Sequence, residues 1–93
     1  PQRTDATCEE AVQRLCEEAC RCSSACRFGE TNSTSGFGDD AAGCARQLVP
    51  GLCGAPNADA IDWGACDARL MRPVCATNFE GADFLVLPGE CQT

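Results

Sequence analysis

The sequence predicts a mainly α, disulfide-rich small domain. It has about three short helices, one long polar loop and a short extended C-terminal segment, in a single unit over residues 1–93. Three observations predict this. Ten cysteines in 93 residues mark a disulfide scaffold in a short chain, and the even number suits complete pairing. Five of them (Cys8, Cys16, Cys20, Cys22 and Cys26) fall in one stretch with helical apolar spacing. The other five (Cys44, Cys53, Cys66, Cys75 and Cys91) are spread over the later segments.

Residues 1–6 form a polar lead-in with nothing to bury, expected to fray. Thr7-Cys8-Glu9-Glu10 has capping-box form, with Thr7 as N-cap and Glu10 reaching back. Ala11, Val12, Leu15, Cys16, Ala19 and Cys20 then recur at helical intervals. Glu10, Arg14 and Glu18 stand four apart, as do Glu17 and Arg21, which predicts ion pairs on an exposed face. The helix weakens at Ser23-Ser24 and stops by Gly29. At about 100° per residue its cysteines cover a wide arc, so partners must approach from more than one direction.

Residues 28–40 are the clearest loop, rich in Gly, Ser, Thr, Asn and Asp. Asn32-Ser33-Thr34 is a glycosylation sequon, and Phe28 and Phe37 bracket the loop. A weak internal repeat follows. Cys44 to Cys53 and Cys66 to Cys75 each enclose eight residues, with Leu48 matching Leu70, Val49 matching Met71 and Leu52 matching Val74. Asp39 or Asp40 caps the first unit, and Asp59 or Asp62 the second. Two short helices are expected, each broken near its proline, Pro50 or Pro73. Residues 54–57 form a turn and linker, and Ile61 and Trp63 bring bulk into the core. Asn78 to Ala82 has turn composition. Phe84-Leu85-Val86-Leu87 is extended and ends at Pro88-Gly89. It either pairs with the 28–40 region or covers the helices, and Cys91 ties down the C-terminus.

Side chains at i and i+4 of a helix suit a disulfide poorly, so Cys16–Cys20 is disfavoured. Cys44 and Cys53 would stand roughly 13 Å apart in a helix, too far to bond; Cys66 and Cys75 are the same case. The simplest solution joins each early cysteine to a late one, leaving about 120 of roughly 945 pairings. The exception to watch is a local Cys22–Cys26 pair, should the helix fray. The competing reading is a metal-thiolate site at Cys20, Cys22 and Cys26. The acidic chain, the apolar complement and the lack of C-x-x-C oppose it.

Formal charge is −7 with no Lys and no His. Nucleic acid needs a basic face, so it is excluded as a partner, as are anionic membrane surfaces. The longest apolar run, Phe84 to Leu87, is far short of a span of about 20 residues, so no membrane insertion is expected. Without His there is no Ser-His-Asp system, no His-ligated zinc and no c-type haem site. Without Lys there is no Schiff base or Walker loop. Of the paired carboxylates, Glu9-Glu10 and Glu17-Glu18 fit solvated faces, and Asp39-Asp40 a helix start. Asn57, Asp59, Asp62 and Asp67 miss the EF-hand register, because Ile61 falls at a ligand position. Trp63 and the phenylalanines are assigned to the core. No catalytic residue, metal or cofactor is assigned.

The chain begins at Pro1 rather than Met, which leads to the expectation of a processed form, as after signal-peptide removal. Ala, Gly and Arg abundance suggests GC-rich coding. The Cys16–Cys26 stretch, Trp63-Gly64-Ala65-Cys66 and the final Val86-Leu87-Pro88 with Cys91 together give a resemblance. The chain resembles small secreted cysteine-rich proteins of high-GC bacteria such as myxobacteria. The resemblance implies secretion and transfers no site.

The function expected is therefore that of a secreted, non-enzymatic, disulfide-stabilised module, extracellular or periplasmic, acting through surface contacts with a protein partner. Loops on rigid scaffolds carry binding, so the candidate contact residues are Phe28, Glu30, Asn32, Thr34, Phe37, Asp39 and Asp40. The alternative is a self-assembling extracellular subunit of a filament, coat or matrix. A small carboxylate hydrolase is the third reading and requires two acids in a concave pocket.

Overall fold

The capping box at Thr7 forms as its residues dictate. In the computed structural model, which describes residues 6–30 and 33–92, Thr7 Oγ1 accepts from the Glu10 amide and Glu10 Oε1 from the Thr7 amide. Helix α1 (Cys8–Cys22) starts there and buries Ala11, Val12, Leu15, Cys16 and Ala19. It ends at Ser23, which adopts extended backbone (φ −152°, ψ 143°). The lead-in expected to fray lies, except for Ala6, outside the described residues. Ala6 itself is buried.

After α1 come strand β1 (Phe28–Glu30), strand β2 (Ser33–Ser35) and helix α2 (Ala41–Cys53). A 3₁₀ turn (Ala58–Ala60) leads to helix α3 (Trp63–Leu70), and strands β3 (Cys75–Thr77) and β4 (Asp83–Val86) follow. Asp40 caps α2 through Gly43 N, and Asp62 caps α3 through Ala65 N, so each pair of N-cap candidates resolves to its second member.

The domain is helical in its main mass, but it also holds a four-stranded mixed sheet in the order β2-β1-β4-β3, which the composition did not lead us to expect. The 28–40 stretch accordingly contains two strands rather than one long loop. Its polar residues have weak strand preference, and pairing supplies what propensity lacks. β1 runs parallel to β4, with Phe28 opposite Leu85 and Gly29 opposite Val86. The extended C-terminal segment thus pairs with the 28–40 region, one of the two places expected for it. β3 lies antiparallel on the other side of β4, with Cys75 opposite Leu85. Strand alternation puts Phe28, Cys75 and Leu85 on one face. Leu85 and Phe28 join α1 and Leu70 of α3 in the core from that face.

α2 is not broken at Pro50; it runs through to Cys53. Proline removes one helical hydrogen bond, but the chain beyond it is held by Cys53–Cys8 and by Gly54 N donating to Pro50 O. α3 does stop short of Pro73. The residue before a proline avoids helical backbone, and Val74 O is taken by Val86 N of the sheet. The two repeat units therefore agree only as far as Leu48 and Leu70, both buried.

All ten cysteines pair: Cys8–Cys53, Cys16–Cys44, Cys20–Cys26, Cys22–Cys75 and Cys66–Cys91, and none is free. Three bonds join an early cysteine to a late one. Cys20–Cys26 and Cys66–Cys91 do not, which corrects the early-to-late expectation. The local pair takes Cys20 instead of Cys22. A turn closed by Cys26 N to Ser23 O and a left-handed Cys26 (φ 53°) bring the chain back over the helix end, while Cys22 reaches out to β3.

Candidate functional site

Of the seven residues expected as a contact loop, the six described do not share one outward face. Phe28 and Phe37 stack on each other, ring centroids 4.9 Å apart, and both pack against the core. Thr34 Oγ1 accepts from Asn78 Nδ2 at 3.0 Å, which ties edge strand β2 to the turn after β3. Asp40 is spent on the α2 cap at 2.7 Å. Glu30 and Asp39 are exposed. Asn32, and with it the sequon's acceptor, lies outside the described residues.

An apolar groove lies elsewhere, built where α2 ends. Gly54 turns the chain out of the helix; a Cβ there would stand 2.6 Å from Pro50 O, closer than any side chain tolerates. The turned chain forms the 3₁₀ segment, and Trp63 Nε1 donates to Ala58 O at 3.0 Å, fixing the indole. Leu52, Ala58, Ile61, Trp63, Cys91 and Gln92 then line an open cleft of about 280 Å³. Its inner end continues through Leu52, Trp63 and Cys91 into a smaller apolar recess of about 60 Å³. That recess is floored by Val12, Leu15, Phe28 and Leu87. Among the described residues no carboxylate, guanidinium or free thiol lines either part. Disulfides fix the walls: Cys53 follows Leu52, and both halves of Cys66–Cys91 line the recess. Ile61 and Trp63 were expected in the core; Trp63 packs against it, and both are half-buried and line this cleft.

A second, polar cleft of about 210 Å³ brings Glu10, Arg14, Glu17 and Asp67 together with Ala6 and Gln13. Arg14 Nε donates to Asp67 Oδ1 at 2.7 Å, joining α1 to α3. The expected α1 ladder is therefore corrected. Arg14 leaves its own helix for Asp67, and Arg21 stands 3.6 Å from Glu18, not beside Glu17. Glu18 is buried, so it is not a solvated-face residue, whereas Glu9 and Glu17 are exposed. Among the described residues no three or more Cys, Asp or Glu are grouped so as to hold a metal ion. Among the described residues, too, no helix is long and apolar enough to cross a membrane.

Besides Leu52 of the groove, sequence reasoning missed three exposed apolar side chains. Phe79 is 82 % exposed, Met71 64 % and Val74 48 %. Phe79 rides on a turn in which Asn78 Oδ1 accepts from the Glu80 and Ala82 amides and Gly81 takes φ 82°. Assigning every phenylalanine to the core was therefore an error at this position. The turn composition around Phe79 was the available signal, since tight-turn residues point outward. A scan against protein-family models finds no match, and neither curated proteins nor solved structures give one.

Proposed function

We propose that this chain is a secreted, non-enzymatic module that works by surface contact, and that the apolar groove is its contact site. Kinship with small secreted cysteine-rich proteins of high-GC bacteria belongs to the same proposal. Five disulfides in a chain of 93 residues suit an oxidising compartment. The single observation that carries the contact reading is the groove's lining: apolar and amide side chains between disulfide-fixed walls. Such a surface binds by burying apolar area, and a rigid wall loses little entropy on binding. The polar cleft offers acids, but Asp67 is held by Arg14 and Glu10 by the helix cap, which favours a structural role for them over acid–base work.

The test compares immobilised wild type, Ile61→Glu, and a Glu30→Ala/Asp39→Ala variant against native extracellular material. Loss of a retained partner with Ile61→Glu alone is the expected result. Loss with the Glu30/Asp39 variant alone would move the site back to residues 28–40, and retention by all three would sink the groove reading. A self-assembling extracellular subunit is the second reading, favoured by the exposure of Met71, Val74 and Phe79.

A further inference from the structure

We propose that the groove receives the Met71-Arg72-Pro73-Val74 segment of a second copy of this chain. This rests on the reading of the groove as a contact site and names its occupant. The segment carries two apolar side chains into solvent, Met71 and Val74, with Arg72 exposed between them. It is also held in shape. Arg69 Nη1 donates to Arg72 O at 2.8 Å, and Val86 N donates to Val74 O at 2.8 Å. Pro73 fixes its own φ, and Cys75 is bonded to Cys22 of α1. A pre-shaped apolar segment gives up little freedom when it docks.

The charges match as well. Asp59, Asp62 and Glu90 are exposed and are chain neighbours of the lining residues Ala58, Ile61, Trp63 and Cys91. An apolar cleft with exposed acids beside its lining residues in the chain is therefore matched to an apolar segment with a central cation. Complementary rims of this kind set register and orientation.

The two surfaces cannot meet within one molecule. Trp63 opens α3 and Met71 closes it, and eight helical residues hold them about 12 Å apart. Docking is therefore between copies, and in a head-to-tail contact each pair keeps one free groove and one free segment, so the contact propagates as a chain. The contact is small, below the size of a standard stable interface. A net charge of −7 also makes copies repel. Association belongs to high local concentration.

Sedimentation equilibrium of the purified chain, raised to about 1 mM, tests this. Wild type should associate beyond a dimer as concentration rises. Ile61→Glu, which spoils the groove, and Arg72→Glu, which spoils the segment at a residue outside the core, should each remain monomeric with native circular dichroism. Mixed together, each variant keeps the surface the other lacks, so the mixture should form a heterodimer and stop there. A monomeric wild type, association untouched by either variant, or an inert mixture would each overturn the proposal. If wild type stays monomeric while Ile61→Glu still loses a different extracellular protein, this inference falls and the contact reading stands. If neither self nor any other protein depends on Ile61, both fall.

Discussion

Arg14 shows how a residue's role depends on what folds against it. Its neighbours in the chain supply Glu10 and Glu18 at helical spacing, yet its guanidinium goes to Asp67, 53 positions away. Asp67 is largely buried, and a carboxylate in that position cannot be left unpaired cheaply. Asp67→Asn keeps the shape and removes the charge. It should cost about 1 kcal/mol, the worth of a charge-assisted bond discounted for partial exposure. The check is a lower urea midpoint at unchanged m-value. What was legible at this scale was local: Thr7 with Glu10, Asp40 with Gly43 and Asp62 with Ala65 are caps closed within three residues. The Arg14–Asp67 pair and the burial of Glu18 were not legible, because each depends on which distant element arrives, whereas the exposure of Phe79 had a local signal in its turn composition.

Among elements, the helices and the extended segment at Phe84–Leu87 were readable, and the other three strands were not. Apolar residues at helical intervals announce α1 whatever surrounds it. Strands of three residues announce nothing, and Phe28-Gly29-Glu30 becomes β1 because Leu85 and Val86 lie alongside. The cysteine arc on α1 behaved similarly. A wide arc did require partners on more than one side, and α2, the Cys26 turn and β3 supply them. The angles alone could not say that Cys8 and Cys16 share one partner helix. The bonds also differ in what they constrain. Cys22–Cys75 closes a span of 53 residues and Cys20–Cys26 a span of 6. Chain-entropy reasoning makes removal of the first, as Cys22→Ser/Cys75→Ser, cost about 2 kcal/mol more than removal of the second. Guanidinium midpoints of the two double variants measure the difference; equal midpoints would contradict it.

At the scale of the whole molecule, the Cα radius of gyration is 12.3 Å, the value expected for a compact chain of this length. Such a domain has a thin core, and cross-links carry much of its integrity. The candidate site was less legible than the fold. Polar composition drew attention to residues 28–40, but the groove is assembled from three separated segments, and only their meeting makes it concave. The order of the bonds along the chain has a last consequence. The span of Cys8–Cys53 overlaps that of Cys22–Cys75, which overlaps that of Cys66–Cys91. Every peptide bond between Cys8 and Cys91 is therefore bridged by at least one disulfide. A protease that nicks the chain once anywhere in that range should add the mass of one water and release nothing. Intact mass before and after reduction checks this: one species first, two fragments afterwards. In a medium full of proteases, a first cut leaves the molecule in one covalent piece.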